Sequence, residues 1–310
     1  MEDVGKNLSK ILDKRNYRDR FSEMMDDVLK DLDVQEFISE HRDELTDADI
    51  QKSYAKLYEF VQEKRKFRLN DPTMIAPGYE PRLALNFHFI DVTYVPTQEL
   101  LAHQRQEEIR SRIKAMDMPK DIQEASFSQY ESTPGRGEAL MAAVEFIENL
   151  KNDPRAFHKG LYLVGSFGIG KTYLLGAIAR DLAEAGYTTT LVHFPTFAVE
   201  MKQAIGKDLV GDKLSAVKKA PILMMDDIGA DAMSSWIRDE VFGVILQYRM
   251  QEQLPTFFSS NFTMQELEKH LSVTQRGESE PLKAKRIMER IRYLTKEIQM
   301  TGKNRRNSEM

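Results

Sequence analysis

Apolar residues in the first sixty positions recur every three or four residues, which is the spacing of an amphipathic helix. One such run extends from Phe21 to Ile38, with a slip in phase after Leu32, and a second begins near Asp47, a plausible N-cap, and reaches Val61. The spacing predicts two or three short helices that pack on one another as a small N-terminal bundle. The acidic face left over is a surface on which a partner could dock.

The pattern changes after Asn70, where Pro72, Pro77, Gly78 and Pro81 interrupt any helix. Apolar residues then alternate with polar ones, and this alternation predicts a small β-hairpin containing Leu83, Leu85, Phe87, Phe89, Val92 and Tyr94. The stretch 98–118 is strongly charged and helical in composition, with too few regular apolar positions to form a core. We interpret it as a charged helical linker.

Beyond the linker, strand-like and helix-like runs alternate. A helix is predicted over Gly137–Leu150, followed by strands at Gly160–Val164, Thr189–Phe194, Pro221–Met225 and Pro255–Ser260, with helices at Lys171–Ala185, Thr196–Ile205 and Ser234–Met250 between them and shorter ones at Met264–Leu271 and Leu282–Thr295. Such alternation predicts an α/β domain, a parallel sheet flanked by helices. We therefore divide the chain into an N-terminal domain (1–97), a linker (98–118) and an α/β domain (119–310).

Composition narrows the classes of function. The 310 residues include no cysteine, which excludes disulfides, thiolate metal sites and cysteine nucleophiles. The net charge of -5 argues against a protein that coats nucleic acid, so any DNA contact should be local. The sequence has no apolar run long enough to span a membrane, and we expect a cytoplasmic protein with no membrane partner.

A phosphate-binding motif lies between the first strand and the first helix of the α/β domain. It consists of Gly165, Ser166, Phe167, Gly168, Ile169, Gly170, Lys171 and Thr172. Glycines let the backbone curl so that its N–H groups point at phosphates, and the following helix adds its positive end. Lys171 should reach the β- and γ-phosphates, and the Thr172 hydroxyl should bind Mg²⁺. The motif predicts a magnesium-dependent P-loop ATPase.

Polar residues follow two further strands. Asp226 and Asp227 end an apolar run, where Asp226 should hold Mg²⁺ and Asp227 should polarise the attacking water, although carboxylates there also often cap the next helix. Asn261 ends the last strand, and from spacing alone a γ-phosphate contact and a simple turn asparagine are equally good interpretations.

Two arginines, Arg286 and Arg290, are four residues apart and share a helix face. One interpretation is an arginine finger offered to the γ-phosphate of a neighbouring subunit. The other is a solvated basic face in which both arginines pair with Glu289, and spacing alone favours this second interpretation.

The sequence resembles the DnaC/DnaI-type bacterial helicase loaders of the AAA+ class. The resemblance is carried by Gly160-Leu161-Tyr162-Leu163-Val164-Gly165, Met225-Asp226-Asp227-Ile228-Gly229-Ala230, Ser235-Trp236-Ile237-Arg238-Asp239-Glu240, Leu254 to Phe262, Arg286-Ile287-Met288-Glu289-Arg290-Ile291 and Asn304-Arg305-Arg306. These stretches lie between about Pro119 and the end of the chain. The N-terminal helices also look like those of the family, though less distinctively.

The resemblance implies a loader that binds the replicative hexameric helicase through its N-terminal domain. Under ATP control it would place the helicase on single-stranded DNA at replication initiation or restart. It also implies a slow ATPase whose domains assemble, with Lys171 and Thr172 as nucleotide and Mg²⁺ ligands and Asp226 and Asp227 as the Walker B pair. Further roles implied are Asn261 as first sensor, Arg290 as arginine finger with Arg286 close behind, Arg305 as a weaker candidate for second sensor, and Phe197 and Lys202 as DNA contacts.

Relatives of this kind can carry a cysteine-based zinc site in the hairpin region, and the corresponding stretch 66–95 has only His88 as a metal-ligand candidate of that type. We predict no zinc, and a hairpin held by apolar packing instead. Three alternative functions stay open at this point: a transposition helper ATPase of the same family, a P-loop small-molecule kinase, and a nucleotide-binding scaffold without turnover. The acidic N-terminal helices favour the loader over the first, and the Arg286/Arg290 face favours it over the second.

Overall fold

A computed structural model describes residues 23–116, 118–275 and 277–305, without the side chains of Lys120 and Asp121. Contacts divide the chain into two compact units, Met1–Arg105 and Gln106–Met310. Phe21 and Arg306, which entered the sequence analysis, lie outside the described residues.

The first unit is mainly helical. It contains α1 over 23–29, α2 (Leu32–Glu40), α3 (Asp47–Lys52), α4 (Tyr54–Arg68), β1 (Tyr79–Asn86) and β2 (Phe89–Pro96). The slip in phase near Leu32 is a break between two helices, because the Asp31 carboxylate caps α2 by accepting from the backbone N–H of Asp33. The predicted N-cap Asp47 is wrong by one residue. Thr46 caps α3 and forms a reciprocal capping box with Asp49, which satisfies two free N–H groups.

The hairpin packs on the helices through one face. Ile90 and Val92 are buried against Leu57 and Phe60 of α4, and the Ser53 hydroxyl accepts from the Ile90 N–H at 2.9 Å. The predicted hairpin is therefore confirmed and rests on apolar packing. Phe89 does not belong to that packing, since 51% of it is exposed on the opposite face of its strand.

The charged stretch after the hairpin forms α5 (Gln98–Arg112), which has no buried residue. The helix ends at Arg112, and β3 (Ile113–Met116) follows at once as a strand of the main sheet. Assigning 113–116 to a helical linker was wrong. Four residues are too few for a strand period to stand out beside so charged a helix.

The second unit is the predicted parallel sheet flanked by helices. After β3 come α6 (Lys120–Gln123), α7 (Pro134–Asn152), β4 (Gly160–Val164), α8 (Lys171–Glu184), β5 (Thr189–His193), α9 (Phe194–Ala204), α10 (Val210–Lys218), β6 (Ile222–Asp226), α11 (Gly243–Gln251), β7 (Thr256–Ser260), α12 (Met264–Ser272), α13 (Pro281–Leu294) and β8 (Thr295–Gln299). The strand order is β3-β5-β6-β7-β4-β8, with parallel pairing throughout. Strand β8 was not predicted, because it continues directly from α13.

The central strands bury both faces. In β4, Tyr162 and Val164 belong to one apolar cluster, whereas Leu161 and Leu163 belong to another on the opposite side. This explains why the strands read as continuous apolar runs rather than as alternating patterns. The carboxyl ends of β4, β6 and β7 therefore meet at one edge of a rigid layer.

A π-helical segment, the π-turn Ile237–Phe242, leads directly into α11, which is the helix that precedes β7. Arg249 of α11 is fully buried at the amino edge of the sheet. Its guanidinium donates to the carbonyls of Ala220 and Pro255, both at 2.6 Å, and to the Thr256 hydroxyl at 2.7 Å. Burial lowers the pKa of Arg249 to about 9, which still leaves it a cation at neutral pH. Arg249 thus links the starts of β6 and β7 by hydrogen bonds, at the edge opposite the P-loop.

Candidate functional site

The P-loop connects β4 to α8 at the carboxyl edge of the sheet. Gly168 and Gly170 have φ of 73° and 94°, in the left-handed region that glycine tolerates best. Gly170 is also the N-cap of α8, so the positive end of that helix faces the loop. The local backbone thus has the shape and polarity of an anion site.

Lys171 lies inside this loop with 7% of its surface exposed. Its ammonium donates to the carbonyls of Gly165 at 2.7 Å and Ser166 at 2.9 Å, and to Asn261 Oδ1 at 2.8 Å. These contacts hold the ammonium inside the loop, where a cation is suited to attract phosphate.

Thr172 and Asp226 meet beside the loop. The Thr172 hydroxyl donates to the Asp226 carboxylate at 2.9 Å, and the Ser259 hydroxyl donates to it at 2.5 Å. Burial raises the pKa of Asp226, while the bonds from Ser259 and Thr172 lower it and the neighbouring Asp227 raises it. A buried carboxylate next to a hydroxyl matches the hard oxygen ligands that Mg²⁺ prefers.

Asp227 and Asn261 complete the group. Asn261 donates to the Asp227 carboxylate at 3.2 Å, so its amide links Asp227 to Lys171. Asp227 has φ of 59°, a left-handed conformation uncommon for a residue with a side chain, and its N–H donates to Ser259 Oγ at 2.9 Å. The structure thus brings Lys171, Thr172, Asp226, Asp227 and Asn261 to one place, and their catalytic roles stay predictions.

A cavity of about 910 Å³ surrounds these side chains. Its walls also include the predicted Arg305 and four residues that were not predicted, namely His193, Ser259, Tyr130 and Arg136. Ser259 is missed by the sequence analysis, although a serine two residues before a strand-end asparagine shares its face of the strand and is a readable signal. Arg136 and Tyr130 have no such sequence signal, because Arg136 lies in α7 and Tyr130 in the loop before it, both ahead of the P-loop motif.

Arg305 contacts the P-loop through its backbone. Its N–H donates to the Gly168 carbonyl at 3.0 Å, and its guanidinium pairs with Glu131. This contact places the end of the described chain at the mouth of the cavity. A role as second sensor stays a prediction.

Arg286 and Arg290 do not line this cavity. Arg290 donates to the Gly243 carbonyl at 2.8 Å, directly after the π-turn, whereas Arg286 is exposed. Burial and the nearby Arg286 lower the pKa of Arg290. Within the described ranges neither arginine pairs with Glu289, so the predicted ion network is wrong as an account of this helix face.

The two predicted DNA contacts differ. Phe197 is 1% exposed and packs in the core, so its assignment as a contact is wrong: the stripe to which it belongs faces the sheet. Lys202 is exposed and lines a separate cavity of about 330 Å³ beside Asp227.

In the part of the chain that the structure describes, no helix is long and apolar enough to cross a membrane.

Two family models match the chain. The model of the primosomal protein DnaI N-terminus matches residues 1–94, and the model of IstB-like ATP-binding proteins matches residues 87–309. The replicative helicase loader DnaI of Bacillus subtilis (strain 168) is 39% identical over 314 residues, a match that covers 99% of this chain and 100% of that protein.

Solved structures agree with these matches. The crystal structure of DnaI is 46% identical and superposes with a TM-score of 0.55, covering 64% of this chain and 99% of that chain. The crystal structure of the DnaC helicase loader is 21% identical with a TM-score of 0.50, covering 59% of this chain and 100% of that chain. At that identity the likeness to DnaC supports the AAA+ fold alone.

Proposed function

The chain belongs to the family of DnaI-type replicative helicase loaders with an IstB-like ATP-binding domain, and from that premise we propose that it places the replicative hexameric helicase on single-stranded DNA under the control of ATP. The observation that carries the assignment is the match to a replicative helicase loader at 39% identity over 99% of the chain. Replication initiation or restart is the setting in which such a loader acts. The side chains gathered at the carboxyl edge of the sheet support the dependence on ATP; they are Lys171, Thr172, Asp226, Asp227 and Asn261.

The chain's own residues have distinct roles in the proposed nucleotide chemistry. The P-loop amides and Lys171 bind the phosphates, while Thr172 and Asp226 hold Mg²⁺, which when bound neutralises phosphate charge. Asp227 orients a water for attack and accepts its proton, and Asn261 keeps Asp227 and Lys171 in fixed relation. Hydrolysis by this group is part of the proposal.

The partners divide between the domains. Residues 1–97 bind the helicase, whereas the ATPase domain, which begins with β3, contacts single-stranded DNA and assembles with further copies of itself. Arg290 then serves as the arginine finger for a neighbouring nucleotide site, and Arg286 is the second candidate for that role. The support for Arg290 is its anchored guanidinium, which the Gly243 carbonyl holds at 2.8 Å.

The alternatives are not favoured. A transposition helper would account for the IstB-like match but not for the DnaI N-terminus match over residues 1–94. A small-molecule kinase accounts for neither.

The test uses the full chain and the replicative helicase of the same organism. Size-exclusion chromatography should show a complex at micromolar concentrations, and a variant lacking residues 1–97 should no longer co-elute. Lys171→Ala should keep the complex while binding ATP about 100-fold more weakly. If the full chain forms no complex, the loader assignment fails, and if the shortened chain still co-elutes, the assignment of the helicase surface to residues 1–97 fails.

A further inference from the structure

Arg136 is a buried cation in the wall of the nucleotide cavity, and no role described above uses it. It is the third residue of α7, and 3% of it is exposed. Its Nε donates to the Tyr130 hydroxyl at 3.1 Å, its Nη1 donates to the Glu131 carbonyl at 2.8 Å, and the guanidinium stacks on the Tyr130 ring at 3.9 Å. These partners fix its position but carry no negative charge, since burial raises the pKa of Tyr130 and keeps it a neutral phenol.

The guanidinium lies against the last glycine of the P-loop. A Cβ atom at Gly170 would come within 2.7 Å of Arg136 Nη2, so only glycine permits this approach. Two helix amino ends converge here, because Gly170 caps α8 and Arg136 is in the first turn of α7. Helix amino ends already carry partial positive charge, and a buried cation beside them is unfavourable without an anion.

We propose that Arg136 is a phosphate-binding residue of the nucleotide site, which attracts the polyphosphate from beside Gly170. The proposal rests on the proposed binding of ATP at this site. It explains why a guanidinium is buried among neutral oxygens within the cavity wall. It also gives Gly170 a second function, since a side chain there would push Arg136 away.

Arg249 offers a matched control for this role. Both arginines are almost completely buried and donate to neutral oxygens, but Arg249 lies at the amino edge of the sheet, away from the cavity. A substitution at either position removes a buried cation and its hydrogen bonds. Only the one at Arg136 should change the attraction for phosphate.

The experiment compares Arg136→Gln, Arg136→Lys and Arg249→Gln in the full chain by calorimetric titration with ATP and with ADP at two salt concentrations. Arg136→Gln should weaken both nucleotides about tenfold, the order expected for one charge at close range, and should reduce the salt dependence of binding. Arg136→Lys should recover part of the affinity. Arg249→Gln should lower the melting temperature but leave the dissociation constants within twofold of the unmodified chain.

Tyr130→Phe distinguishes the effect of the Arg136 charge from that of its hydrogen bond to Tyr130. It keeps the ring and removes only the hydroxyl that accepts from Arg136. Affinity within threefold of the unmodified chain supports direct attraction. The proposal is overturned if Tyr130→Phe loses as much affinity as Arg136→Gln, or if Arg136→Lys binds as poorly as Arg136→Gln at an unchanged melting temperature. Failure of the unmodified chain to bind ATP would instead contradict the proposed function.

Discussion

The amino and carboxyl edges of the main sheet both contain buried charged side chains, but these side chains have different partners. At the amino edge, Arg249 donates to backbone carbonyls and a hydroxyl, so one cation closes the ends of β6 and β7. At the carboxyl edge, Lys171, Asp226 and Asp227 are linked through Asn261, Thr172 and Ser259. The first arrangement stabilises the fold, whereas the second keeps an acid with a raised pKa and a left-handed aspartate. Burial perturbs a charged group at both edges, since it also lowers the pKa of Arg249. Only the carboxyl edge adds opposite charges linked by hydrogen bonds and a left-handed aspartate, and this combination marks it as the place of chemistry.

The largest expected effect is on stability and comes from the amino edge. Arg249→Met leaves the buried Ala220 carbonyl and Thr256 hydroxyl without the guanidinium donor, although the Pro255 carbonyl keeps the Leu223 N–H, and should lower the free energy of unfolding by about 3 kcal/mol. Urea denaturation measures this loss. ATP affinity of the folded protein should stay unchanged, and a large loss of affinity would contradict the separation of the two edges.

The next effect belongs to the carboxyl edge. Lys171→Ala removes the ammonium from the P-loop and should weaken ATP binding about 100-fold, or roughly 2.7 kcal/mol. Titration with a fluorescent ATP analogue measures the change. The unfolding midpoint should shift far less than in Arg249→Met, and an equal shift would show that Lys171 is mainly structural.

Two adjacent buried serines test the carboxyl edge more finely. Ser259→Ala removes a hydroxyl that donates to Asp226 and accepts from the Asp227 N–H, and should cost about 1–2 kcal/mol of stability together with most of the ATP turnover. Ser260→Ala is the control, because its hydroxyl donates to the Ile228 carbonyl and accepts from the Phe262 N–H. It should cost similar stability and keep turnover, as measured by phosphate release.

The smallest effect has the opposite sign. Asp227→Gly relieves the left-handed backbone and removes a charge next to Asp226, and should raise the free energy of unfolding by about 0.5 kcal/mol while abolishing turnover. Asp227→Asn keeps a residue that tolerates this conformation and serves as the control. A loss of stability in Asp227→Gly would mean that the Asn261 bond outweighs the backbone strain.

The sequence predicts the fold well wherever a period of two or of three to four residues extends over several turns or strands. The hairpin and most helices are of this kind, whereas the central parallel strands are recognised as continuous apolar runs. Strands β3 and β8 are missed because each directly follows a helix, and the π-turn because it leaves the composition of its helix unchanged. Thr46 replaces Asp47 as N-cap because both residue types cap helices and only the backbone geometry decides.

The site is predictable to the extent that its residues belong to one motif or end a strand. Lys171, Thr172, Asp226, Asp227 and Asn261 satisfy this condition, and the parallel topology brings them together. Tyr130 lies in a loop and Arg136 in the first turn of α7, and both reach the cavity only through tertiary packing. No spacing in the sequence could identify them.

The short strand β3 has a practical consequence for cutting the chain. It pairs with β5 at the edge of the main sheet, from Ile113 opposite Thr189 to Met116 opposite Val192. An ATPase fragment that begins after Met116 would leave unpaired those N–H and C=O groups of β5 that face β3, and an exposed edge strand of this kind invites pairing with strands from other molecules. Fragments that start at or before Gln106 should stay monodisperse at concentrations where the shorter ones aggregate.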